Sequence, residues 1–131
     1  RQFLEQYNLE EKVILAGVKV NEAKWQAFKD ADIFCFPSHF ETFGLVLVEA
    51  MQFELPVVAT DVGGIQSVVL RDQTGFLLPL GQHQDFADKL EKLLADDGLR
   101  LRMGRKGREV YLNKFTVEKY WQDMEQTLAS V

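Results

Sequence analysis

The 131-residue chain has a single cysteine, Cys35, so no disulfide can form within it and a small disulfide-stapled fold is excluded. Cys35 lies inside an apolar run, which predicts a buried, reduced thiol in a cytosolic protein. No run of about 18 apolar residues occurs, so no membrane-spanning helix is expected. Basic charge is short as well: 15 Lys and Arg against 20 Asp and Glu give a formal net charge of −5. Nucleic acid is thereby excluded as a main partner, because binding its phosphates requires a basic footprint. Histidine occurs only twice, and no pair of acids or His/Cys cluster has ligand spacing, so no metal is expected. No repeat, low-complexity tract or Pro/Gly/Ser-rich linker divides the chain, which reads as one domain over residues 1–131.

What is present is an ordinary globular balance, 47% hydrophobic and 27% charged, enough to build a core without staples. Four short apolar runs are each followed by a helical pattern: Val13–Ala16, Ile33–Phe36, Pro56–Thr60 and Gly75–Leu78. That alternation predicts an α/β, Rossmann-like parallel sheet with flanking helices, and the near-continuous runs suit strands covered on both faces. Asn21 is expected to cap a helix whose Trp25, Phe28 and Ala31 share a face. A second helix is expected from about Gly44 to Phe53, and a short helical turn over Ile65–Leu70. Phe86, Leu90, Leu93 and Leu94 form a core-facing stripe, as do Val117, Tyr120, Trp121, Met124 and Leu128 behind a Thr116 N-cap. Between those two stripes, Leu99–Asn113 reads as a helix interrupted at Gly104 and Gly107. The chain opens without Met, in what reads as mid-helix, which suggests a fragment.

In open parallel sheets ligands bind beyond the carboxyl ends of the strands. The most informative loop is therefore the one after Phe36, running Pro37-Ser38-His39-Phe40-Glu41-Thr42-Phe43-Gly44-Leu45 into a helix. The free N–H groups of a helix N-terminus and its dipole favour an anion there by about 0.3–2 kcal/mol. Glu41 and Glu49 bracket the turn, spaced to touch opposite ends of one extended ligand rather than to share a proton. His39, in the same loop, and His83, ahead of a helix, are read as positioning, capping or surface groups rather than general bases. Asp61-Val62-Gly63-Gly64 either approaches the ligand or turns the chain. Arg100, Arg102, Arg105, Lys106 and Arg108 form a basic helix face, solvated or else meeting an anionic membrane surface.

An ordered series of motifs covers nearly the whole chain. Its members are Pro37-Ser38, Glu41-Thr42-Phe43-Gly44-Leu45, Glu49-Ala50-Met51, Pro56–Thr60, Asp61–Ile65, Thr74–Leu77, Leu99–Gly104 and Phe115-Thr116. In this series the chain resembles the C-terminal, donor-binding domain of the retaining glycosyltransferases of family 4, group 1, which have the GT-B fold. The resemblance implies binding of a nucleoside-diphosphate sugar, with no metal and no other cofactor, and transfer of a hexosyl group to a glycan or lipid-linked acceptor. It implies that Glu41 contacts hydroxyls of the donor sugar in the catalytic role, and that Glu49 holds the ribose diol. Backbone N–H groups of Phe43, Gly44 and Leu45 would meet the sugar and diphosphate, and the loop at Gly17-Val18 would lie near the base.

The pattern departs at Glu54, where the family usually has Gly, and at Ser67, where it usually has Glu. These departures favour the alternative of a non-catalytic nucleotide- or sugar-binding domain of the same fold. A flavodoxin-like phosphoacceptor using Asp61 is a third reading. The family's acceptor domain, its catalytic His and its basic Arg and Lys lie upstream of the matching segment, so the chain alone is expected to be inactive. The family's sheet order is 3-2-1-4-5-6, and the four runs match strands 3 to 6. The gap between Val13–Ala16 and Ile33–Phe36 is expected to close by direct pairing or by strand exchange in a dimer. A cytoplasmic location is expected, with peripheral contact at the inner face of the membrane left open.

Overall fold

The computed structural model describes residues 1–131 throughout. In chain order the elements are α1 (Gln2–Gln6), α2 (Asn21–Asp30), β1 (Phe34–Phe36), α3 (Leu45–Gln52), β2 (Val57–Thr60), a 3-10 turn (Gly63–Ser67), β3 (Gly75–Leu78), α4 (His83–Ala95), α5 (Asp97–Lys114) and α6 (Val117–Ala129). The three strands form one parallel sheet in the order β1-β2-β3, with Phe34 beside Val57 and Val57 beside Gly75. Parallel strands need long crossovers, and α3 provides the one between β1 and β2.

Alternate residues of β2 and β3 feed the two faces. Val57, Ala59 and Leu77 pack with Leu47, Val48 and Met51 of α3, with Ile65, and with Val110 of α5. Val58, Phe76 and Leu78 pack on the other face with Leu93 of α4 and Met103 of α5. A smaller cluster joins Phe28 of α2 to Ala50 and Leu55, and Phe28 stacks on Phe53 with ring centroids 5.5 Å apart. Thr116 caps α6 by accepting from the Lys119 N–H at 3.2 Å, as its position predicts.

Several expectations are corrected. Val13–Ala16 is not a strand; Ile14 is 87% exposed, and β1 pairs with β2 alone. An apolar run becomes a strand only where a neighbour supplies its hydrogen bonds, and none is aligned with these residues. Direct pairing therefore does not close the gap, and β1 keeps a free edge. Cys35 is exposed on this edge strand rather than buried, although neighbouring side chains desolvate its thiol enough to raise its pKa.

The apolar stripe of α6 is uncovered: no residue of this helix is buried, and Trp121 is 55% exposed. Asn21 does not cap α2 but is its first residue, at φ +52°, with Val20 in the cap position. The helical turn falls at Gly63–Ser67, earlier than Ile65–Leu70. Helix α5 runs unbroken through Gly104 and Gly107, for a packing reason: a Cβ on Gly104 would stand 1.9 Å from the Glu54 carbonyl oxygen. No helix is long and apolar enough to cross a membrane.

Candidate functional site

The loops that leave β1 and β2 meet at the carboxyl end of the sheet. Gly44 is the N-cap of α3 at φ +90°, in the left-handed region that glycine adopts without steric cost. It lets the chain enter the helix directly from the Glu41–Phe43 turn. Glu41 folds back over that entry, its Oε1 accepting from the N–H of Gly44 at 3.1 Å and of Phe43 at 3.4 Å. An acidic side chain thus occupies the positive end of α3, the electrostatically favoured place for it. Two of the N–H groups that the sequence assigns to a ligand are engaged by the chain itself. The Leu45 N–H, in the first turn of α3, has no intrahelical acceptor.

Glu49 lies in the second turn of α3, half-buried, with Oε1 3.1 Å from Lys24 Nζ of α2. Lys24 in turn stands 4.2 Å from the centre of the Trp25 ring. Sequence reasoning missed Lys24, because 25 residues separate the partners and only the packing of α2 against α3 joins them. Gly17 and Val18 are not drawn to the loop: Gly17 has open space around it, and Val18 is 92% exposed. Phe43 packs edge-on against Phe115 at the α5–α6 junction, ring centroids 6.1 Å apart, which ties the turn to the helical layer.

The loop after β2 carries no free acid. Asp61 accepts from Arg71 at 2.5 Å and from Gln66 at 2.7 Å, which removes support for a phosphoacceptor. A cleft of about 270 Å³ opens beside the site, bringing His39 and His83 together with Pro37, Thr60 and Phe86. Both histidines are exposed, as surface residues. No group of three or more His, Cys, Asp or Glu is placed to hold a metal ion.

The basic helix is largely used internally. Arg100 pairs with Asp97 at 2.8 Å, Lys106 with Glu109 at 3.2 Å, and Arg108 donates to the Gln52 carbonyl. Arg102 and Arg105 remain without an ion pair. Glu54 lies at the amino end of β2, opposite the Glu41 loop, so its departure from the family pattern does not touch the site.

The family model described as glycosyl transferases group 1 matches residues 1–110. The capsular polysaccharide biosynthesis glycosyltransferase CapM of Staphylococcus aureus is 38% identical over 98 residues, covering 75% of this chain and 26% of that protein. The N-acetyl-alpha-D-glucosaminyl L-malate synthase of Bacillus anthracis is 36% identical over 118 residues, covering 90% of this chain and 30% of that protein. Among solved structures, Anabaena HepE in complex with UDP-glucose superposes with a TM-score of 0.86 at 27% identity, covering 99% of this chain and 35% of HepE. The chain therefore spans between a quarter and about a third of the length of these proteins.

Proposed function

The chain belongs to the group 1 glycosyl transferases, and from that membership we propose that it holds the nucleoside-diphosphate sugar donor of a retaining glycosyltransferase. Its α/β layer has the GT-B fold of structural neighbours that include HepE with UDP-glucose. The observation that carries the proposal is the β1–α3 turn: a helix N-terminus, Glu41 upon it, and Glu49 in the second turn of the same helix.

Each group has a distinct role. Glu49 accepts from the ribose diol; Oε1 is partly held by Lys24, while Oε2 makes no hydrogen bond within the chain. A charge-assisted hydrogen bond of this kind is worth about 1.5–3 kcal/mol. Glu41 is poised for exchange. When a phosphate or sugar oxygen takes the N–H groups of Phe43 and Gly44, the Glu41 carboxylate is released to accept from the sugar hydroxyls. The Leu45 N–H adds a third donor to this cradle. The hexosyl group then passes to a glycan or lipid-linked acceptor with retention at the anomeric carbon. That step needs an acceptor domain and cationic residues from beyond the matched segment, so this chain alone binds donor without turning it over.

Isothermal calorimetry with UDP, GDP and ADP tests the reading. One nucleotide is expected to bind, and Glu49→Ala is expected to weaken it by about tenfold or more, the loss of one charge-assisted contact. Binding of none of the three, or binding indifferent to Glu49→Ala, contradicts the proposal.

A further inference from the structure

The loop that carries Glu41 is held from outside itself. Thr60, the last residue of β2 and only 5% exposed, donates its hydroxyl to the Ser38 carbonyl, with the Phe36 carbonyl 3.5 Å away. Four residues later the Gly64 N–H donates to the Glu41 carbonyl at 3.0 Å. Between these contacts the two loops lie backbone to backbone. A Cβ on Gly63 would stand 1.6 Å from the Glu41 carbonyl oxygen, and one on Gly64 would stand 1.9 Å from that of Thr42. The far side is fixed by Asp61, whose N–H donates to the Leu78 carbonyl at 2.8 Å and whose carboxylate is held by Arg71 and Gln66. The Asp61–Gly64 motif is thus more than a turn in the chain: its Gly64 N–H is engaged by the neighbouring loop.

We infer that Thr60–Gly64 is a positioning bracket for Glu41, setting where its carboxylate meets the donor sugar while leaving Glu49 on α3 independent. The inference rests on the donor reading above. A side chain reaching a sugar hydroxyl is only as well placed as its backbone, and a misplacement of about 1 Å can cost about a hundredfold in a positioned reaction. The bracket's hydrogen bonds and backbone approaches fall on Ser38, Glu41 and Thr42, in the loop before α3, so it acts first on the sugar end of the ligand, where Glu41 lies, rather than on the ribose end.

The test uses Thr60→Val, which removes the hydroxyl at nearly constant volume, and Thr60→Ser, which restores it, in the whole 131-residue chain. In Thr60→Val the Gly64 and Gly44 amides are expected to exchange hydrogen about tenfold faster, as local opening becomes easier. The Val57 N–H, bonded to the Thr74 carbonyl at the opposite end of the sheet, is expected to keep its rate. The affinity of UDP-glucose relative to UDP is expected to fall about tenfold, one charge-assisted contact's worth, with UDP itself changed by less than about twofold. Thr60→Ser returns both readouts to the wild-type values. Equal losses for both ligands, or unchanged exchange at Gly64, overturn the bracket and leave the donor reading standing. A wild-type chain that binds neither ligand overturns the donor reading and the sugar-placing role together.

Discussion

At φ +59°, Glu54 sits in the left-handed region, where an L side chain costs about 1–2 kcal/mol. The turn from α3 into β2 demands that angle, because Gly104 of α5 presses against the Glu54 carbonyl. The residue type, read from sequence as favouring a non-catalytic domain, thus reports a backbone constraint remote from the site. Glu54→Gly is expected to raise stability by about 0.5 kcal/mol, after the greater unfolded-state freedom of glycine is subtracted, and to leave nucleotide affinity unchanged. Urea denaturation of the two chains checks it; a loss of stability would show that the Glu54 side chain makes a contribution its exposure does not suggest.

Glu41 and Glu49 were legible as a pair from spacing and motif order. Their present partners were not: self-capping by Glu41 and the Lys24–Glu49 ion pair depend on tertiary placement that no local pattern encodes. Cys35 was misread for a related reason, since an apolar run tells that a strand forms but not that the strand lies at an edge.

Among the elements, α5 separates two uses of glycine. Gly104 faces Glu54 at contact distance, whereas a Cβ on Gly98 would meet side-chain ends alone, Arg102 at 3.1 Å and the Asp96 carboxylate at 3.4 Å. Gly104→Ala is therefore expected to cost about 3 kcal/mol, because backbone rather than side chain must give way. Gly98→Ala is expected to gain about 0.5–1 kcal/mol from helix propensity and a less free unfolded chain. Thermal unfolding of both variants reads out the opposite signs, and a shared sign would contradict the close-packing account.

β1, β2, β3 and α3 were legible because buried parallel strands are near-continuous apolar runs and α3 has clear glycine and aromatic boundaries. Val13–Ala16 was misassigned because a strand needs an aligned neighbour, and the stripe of α6 was misread as core-facing because an amphipathic face needs a cover; hydropathy records only the demand for them.

Over the whole molecule, the chain forms a two-faced parallel layer with its candidate site at the carboxyl end of the sheet. The site was legible in outline, since loop position follows from the alternation of runs and strand order from the resemblance. The bracket from Thr60 to Gly64 was not, because close backbone approach is written only as two glycines, which read equally as a turn. The chain matches about a quarter to a third of its relatives' length, so the surfaces uncovered here, β1's free edge and the apolar side of α6, are features of this chain by itself.

The central claim is that one nucleotide sugar lies along the β1–α3 turn with Glu41 and Glu49 at its two ends. Amide chemical-shift mapping of the 131-residue chain titrated with UDP-glucose tests it most directly. The account predicts that the largest shifts fall on Phe43, Gly44, Leu45 and Glu49, with the Phe43 and Gly44 amides changing as Glu41 leaves them. Shifts confined to other surfaces, or none at saturating ligand, would contradict it.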